Sequence, residues 1–192
     1  MIQIPRAVRF PIELLPPIGF DAERPETWPQ LAGRLEWHEG RLLYMPPCGE
    51  RQQSTVTDVV ITLGAWVRRH PEYVLGTNEA GMRLAGATRA ADAAIWRRTD
   101  FGFTGGLATR APILAIEVAG ADDPEDLLTD KARWYLDVGV QAVWIAFPDT
   151  RDVLVVAAEG SHRLGGEDPL PSPSDLPDLD VRASDFFVQL AQ

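Results

Sequence analysis

Residues 91–96 read Ala-Asp-Ala-Ala-Ile-Trp and residues 113–118 read Ile-Leu-Ala-Ile-Glu-Val. Both are short apolar runs of the kind that form buried strands, and each carries one acid, Asp92 or Glu117. A buried carboxylate is costly unless it is paired, hydrogen-bonded or bound to metal. One acid alone is simply solvated at a strand end. Two on adjacent strands make a divalent-cation site the natural way to offset the cost. The acids stand 25 positions apart, room for one strand, a loop and the neighbouring strand.

Outward from this pair, the 192 residues suit a single domain over 1–192, with 45% hydrophobic and 24% charged residues as in ordinary globular proteins. No run approaches the roughly 20 apolar residues that cross a bilayer, and no charged-then-apolar leader opens the chain, so the expectation is a cytoplasmic protein with no membrane partner. The single cysteine, Cys48, excludes an intrachain disulfide and a cysteine-rich zinc site. The net charge of −10 is unevenly spread. Residues 1–110 carry 13 Lys and Arg against 12 Asp and Glu, whereas residues 111–192 carry 5 against 16. A polyanion would therefore approach the surface built by the first part, with modest, salt-sensitive affinity.

Residues 1–32, rich in proline, predict an irregular arm with a short helix near 25–32. Residues 33–45 alternate enough for a β-hairpin turning at Glu39-Gly40, with His38 as an exposed turn residue. Pro46-Pro47-Cys48-Gly49 ends that hairpin, and Glu50 opens a helix that closes near His70-Pro71. An acid at that first turn complements the helix dipole. Segments 73–77 and 81–84 read as two strands turning at 78–80, ahead of the Asp92 strand. After Glu117, Asp123 is the expected N-cap and Pro124 the first position of a helix running to Val138 and stopped by Gly139. Lys131, on nearly the same face as Tyr135, either snorkels to water or points across the sheet toward Asp92 and Glu117. Residues 142–147, 153–157 and 161–164 follow as strands. The Pro/Asp/Ser-rich stretch 167–180 wraps the surface before a helix over 183–191 docks through Phe186, Phe187 and Leu190.

A hydrolase with a serine or cysteine nucleophile is poorly supported. No Gly-x-Ser-x-Gly element occurs, and His38, His70 and His162 lie in turn-like contexts. No phosphate-binding glycine loop is present either, because Gly102–Gly106 has the wrong spacing.

The ordered set Glu39-Gly40-Arg41-Leu42, Pro46-Pro47 with Glu50, Arg89-Ala90-Ala91-Asp92, Ile116-Glu117-Val118, Lys131 with Tyr135 and Gly139-Val140, and Val143-Trp144-Ile145 resembles the Uma family of putative restriction endonucleases, within the PD-(D/E)XK nuclease superfamily. The resemblance covers residues 33–160. It implies an α/β (α+β) fold: a restriction-endonuclease-like core of mixed central sheet flanked by helices, with an N-terminal hairpin, the arm, and a C-terminal wrap over 161–192. It also implies Asp92 and Glu117 as metal-binding acids for Mg²⁺ or Mn²⁺, with Glu50 as the first helix's acid. The backbone carbonyl of Val118 would be a further ligand. Ala91 stands where the family's proline is expected, Ala119 where the superfamily's lysine would sit, and Gly120 where a serine is frequent. Lys131 is then the catalytic lysine. DNA is the implied substrate, with Arg83 and Arg89, and also Arg97 and Arg98, as phosphate contacts; apolar strand and arm surfaces would suit a homodimer. Two other readings stay open: a member of the fold whose chemistry has decayed into a DNA-binding or protein-interaction module, and a metal-dependent hydrolase of another phosphodiester.

Overall fold

The computed structural model describes residues 10–121 and 123–191. Nine strands form one mixed sheet in the order β1-β3-β2-β5-β6-β7-β8-β9, with β4 paired to β5. The strands are β1 (Ile12–Leu14), β2 (Arg34–His38), β3 (Arg41–Met45), β4 (Tyr73–Leu84), β5 (Ala87–Arg97), β6 (Leu114–Val118), β7 (Ala142–Phe147), β8 (Asp152–Ala157) and β9 (Gly160–Gly165). Helix α1 (Glu50–Val67) covers one face, the four-residue α2 (Arg98–Phe101) follows β5, and α3 (Glu125–Asp137) covers the other face. This is the mixed sheet flanked by helices that the resemblance implies.

Two apolar layers result. Val59, Leu63 and Trp66 of α1 pack with Ile95, Ile116, Trp144 and Phe186. Ala132 and Tyr135 of α3 pack with Trp96, Ala115, Val143 and Ile145. The parallel pair β6 and β7 is joined through α3, as parallel neighbours require. Glu39 and Gly40 turn the β2–β3 hairpin at φ 50° and 76°, the left-handed pair a two-residue turn needs.

Strand β5 organises the site. One edge pairs along its length with β4. The other edge meets β2 at Trp37↔Thr88 and β6 from Ala93↔Ile116 onward. Between those two pairings, residues 89–92 have no partner strand on that edge among the described residues, and side chains fill the seam.

Several expectations need correction. Residues 78–80 are no turn between strands: β4 runs through, with a register shift between Thr77 and Ala80 that sets Asn78 and Glu79 opposite Asp92. Asn78 and Glu79 both adopt positive φ, 57° and 59°. Two residues facing one make a bulge, which bends the strand and re-aims its neighbour. The arm contributes β1, hydrogen-bonded to β3, and a single 3-10 turn at Pro25–Thr27 in place of the longer helix. Helix α3 starts at Glu125 with Pro124 at the cap, because the Asp123 carboxylate accepts instead from the Gly120 N–H at 2.7 Å. The C-terminal helix is reduced to a 3-10 turn at Ala183–Phe186. There the Gln189 N–H is drawn to Asp58 Oδ2 at 2.9 Å, away from any helical partner.

Candidate active site

The β5–β6 register answers the question posed by the two acids. The ladder ends at Ala93↔Ile116, and Asp92 and Glu117 are the next residue of each strand. Alternation from Ala94 and Ala115, which pack in the α3 layer, puts both acids on one face. Both acids lie on the α3 side, and Asp92 Oδ2 accepts from the Val118 N–H at 2.7 Å. Glu117 is 2% exposed, and Asp92 sits nearer the surface with 12% of its side chain exposed.

Lys131 points from α3 across the sheet. Its Nζ lies 2.9 and 3.0 Å from the two oxygens of Glu117, 2.9 Å from Glu36 Oε1, and donates to the Ala90 carbonyl at 2.8 Å. It is the one lysine among 18 basic residues of the chain. An ammonium is a compact point charge with three donors that arginine cannot copy. Tyr135, one turn on, donates its hydroxyl to Glu117 Oε1 at 2.9 Å.

Glu36 is the member that sequence reasoning missed. It lies in β2, 1% exposed, and accepts from Lys131, from Arg89 Nε at 2.9 Å and from the Ala90 N–H at 3.3 Å. Glu36 and Lys131 thus satisfy the Ala90 backbone groups that the open seam leaves without a strand. Arg34, two residues earlier on the same strand, stands 3.5 Å from Asp92 Oδ1 and 3.8 Å from Glu36 Oε1. Three carboxylates face three cations: Glu36, Asp92 and Glu117 with Arg34, Arg89 and Lys131.

These neighbours act unequally on the acids. Burial pushes the Glu36 carboxyl up, but Lys131, Arg89 and Arg34 together overcome it and hold the group well below the usual carboxylate range. For Glu117 burial dominates, Lys131 offsets only part of it, and the charge of Asp92 adds to the upward shift. Burial and the Glu117 and Glu36 charges raise the Tyr135 hydroxyl, so it remains a donor.

The hard oxygen donors of Asp92 and Glu117, side by side on one face, fit a divalent cation. Among the described residues no three His, Cys, Asp or Glu side chains gather in a metal-holding group, so water and backbone oxygens would complete the shell. The Val118 carbonyl already accepts from Gln52 Nε2 at 2.8 Å. Gln52, not Glu50, is therefore the α1 residue that hydrogen-bonds this end of β6. Glu50 is the exposed first residue of α1, and its side chain joins no ion pair among the described residues.

The arginines expected on phosphate have other partners. Arg89 is buried against Glu36 and lies 5.1 Å over the Trp134 ring. Arg83 ties β4 to Thr88 and to the Ala22 carbonyl of the arm, each at 3.4 Å. Arg97 pairs with Asp175 at 2.9 Å, and Arg98 donates to the carbonyls of Pro71 and Tyr73. His38 is half-buried, its ring 5.7 Å from that of Trp134, rather than an exposed turn residue. No helix among the described residues is long and apolar enough to cross a membrane.

The fold is shared with a solved protein. The crystal structure of a putative nuclease belonging to DUF820 from Anabaena variabilis ATCC 29413 matches with a TM-score of 0.78 at 17% identity, over 89% of this chain and 99% of that one. No curated protein matches the chain. The Uma2 family model, described as "Putative restriction endonuclease", matches residues 23–184, a span that includes Glu36, Asp92, Glu117 and Lys131. The chain therefore belongs to the Uma2 family of putative restriction endonucleases.

Proposed function

We propose that the protein is a Mg²⁺- or Mn²⁺-dependent endonuclease that hydrolyses phosphodiester bonds of DNA in the cytoplasm. The observation that carries this reading is the placement of Asp92 and Glu117 on one sheet face just past the end of the β5–β6 ladder, with the chain's one lysine on Glu117.

Asp92 and Glu117 would hold the cation, which when bound lowers the pKa of a coordinated water and offsets charge on the phosphate. The chain's own groups prepare that site. Tyr135 and Lys131 fix both oxygens of Glu117. Glu36 and the Ala90 carbonyl hold the Lys131 ammonium at the head of the cluster. Its remaining role is electrostatic, a fixed positive charge for the crowded oxygens of a phosphoryl transition state. Preorganised charge of this kind costs no rearrangement during reaction.

The test is Asp92→Ala and Glu117→Ala, assayed for Mn²⁺ binding by calorimetry and for nicking of supercoiled plasmid. Both variants should remain folded and lose both properties. Unchanged cleavage in either would remove the mechanism.

A second reading, a binding module of the same fold without catalysis, draws on one observation: the three acids and three cations already balance, with Arg34 beside Asp92. Such a module would give no heat on Mn²⁺ addition that depends on Asp92.

A further inference from the structure

Two cavities flank the charged seam, and their charges differ. The larger, about 570 Å³ between the β2–β3 hairpin and α3, is lined by six carboxylate side chains against four cationic ones. The other is an open groove of about 330 Å³ between the arm, the bulged β4 and the loop at Leu107, lined by Arg34 and Arg89 against Glu79. In a chain of net charge −10, a phosphodiester is repelled by the first and attracted by the second.

Arg34 is unusual within this groove. Its Nε is buried with no hydrogen-bond partner among the described residues, and its ion pairs to Asp92 and Glu36, at 3.5 and 3.8 Å, exceed the N–H···O range. A guanidinium carries five donors in a planar fork suited to phosphate oxygens. This one, beside two carboxylates, still has a buried donor to spare for a phosphate oxygen. Trp28, on the arm side of the same groove, is held by its Nε1 donating to the Asp21 carbonyl at 3.2 Å and by the Phe20 ring at 5.7 Å. An indole fixed at a groove wall is a stacking platform for a base.

We propose that this groove binds one unpaired nucleotide of the DNA substrate, with Arg34 on its phosphate and Trp28 against its base. The inference rests on the nuclease reading and deepens it. It gives the arm a task, substrate positioning, and it delivers the phosphate beside Asp92, because Arg34 stands next to that acid.

The experiment measures fluorescence anisotropy of a labelled oligothymidylate on the full chain, in EDTA and across a KCl series, with plasmid nicking in Mn²⁺ scored in parallel. Arg34→Gln should weaken binding about tenfold and flatten the log–log salt slope by about 0.7, the change expected when one fewer phosphate of a single strand is neutralised. Trp28→Ala should weaken binding by a similar factor, about tenfold, with the slope unchanged, since stacking releases no counterion. Arg133→Gln, an exposed residue paired with Asp130, should match the parent in both. Trp28 lies outside the charge cluster, so its variant reads the groove even if Arg34→Gln proves poorly folded. The groove assignment is overturned if Trp28→Ala and a folded Arg34→Gln bind like the parent, or if the parent nicks plasmid yet ignores the oligonucleotide; the nuclease reading survives either result. A parent that neither binds nor cleaves removes both.

Discussion

Glu36 Oε1 accepts from Lys131 Nζ at 2.9 Å, and this bond joins the N-terminal hairpin to α3 across 95 positions of sequence. It closes the seam that β2 and β6 leave along β5. A strand there would have satisfied Ala90 with backbone groups alone. An ion pair does so while keeping an ammonium next to Glu117.

Glu36→Gln removes the negative end of that arrangement and leaves Lys131 and Arg89 buried without their anion. The expected loss is about 3 kcal/mol of unfolding free energy, typical of breaking one partner of a buried pair. Urea denaturation at pH 7 measures it, and a loss under about 1 kcal/mol would show that the pair contributes little.

The two buried glutamates should bend the stability–pH curve in opposite directions. Glu36 is held below its ordinary value, so its contribution is complete above the unfolded-state pKa of about 4.3 and fades as pH falls below that. Glu117 is held above its ordinary value, so its contribution is complete below about pH 4.3 and is withdrawn as pH rises through the elevated folded pKa. Thermal melts from pH 2 to 8 should show Glu117→Gln gaining on the parent toward the alkaline end, and Glu36→Gln losing the parent's acid limb below about pH 4.3. Parallel curves for all three proteins would contradict the assignment.

Because Lys131 is the sole lysine, amine acetylation reads one side chain besides the chain's α-amino group. At 6% exposure it should resist modification in the native protein and react fully in urea, as followed by peptide mass spectrometry. Rapid native acetylation would mean that α3 does not hold the ammonium in the seam. Lys131→Arg should abolish plasmid nicking, because a planar fork cannot occupy a site that receives a compact charge between Glu36, Glu117 and the Ala90 carbonyl.

Gly33 sets the angle at which the arm enters β2. Its φ is 121°, and an added Cβ would collide with the Met45 carbonyl oxygen and approach the Tyr44 ring to 2.8 Å. Backbone cannot yield as a flexible side chain can, so Gly33→Ala should cost about 2 kcal/mol and loosen the arm. Limited proteolysis should then cut within residues 15–31 sooner than in the parent. An unaltered digestion pattern would disconnect this glycine from the arm's position.

Most strands of the sheet, though not β1 or the unbroken course of β4, both long helices and the hairpin turn were legible in the sequence, because apolar periodicity and the Glu39-Gly40 turn are local signals. Asp92, Glu117 and Lys131 stood out for the same reason: each is a charge inside an apolar pattern. Glu36 did not, since Arg-Leu-Glu-Trp-His alternates as any hairpin with one wet face does. The bulge was hidden because Asn78 and Glu79 look like an ordinary turn until β5 is seen to continue past them.

What the residue order determined by itself was therefore the set of elements and the polar side chains anomalous within them, through short-range periodicity and steric limits at turns. Only the tertiary structure decided which charges meet. The splitting of β5's edge between β2 and β6 brings Glu36 to Arg89 and Lys131 and Arg34 to Asp92, all more than fifty positions away, and burial there turns a solvent-facing pattern into an ionic core. Long-range strand pairing, which no local propensity encodes, selects those neighbours and with them the unequal electrostatics of the two glutamates.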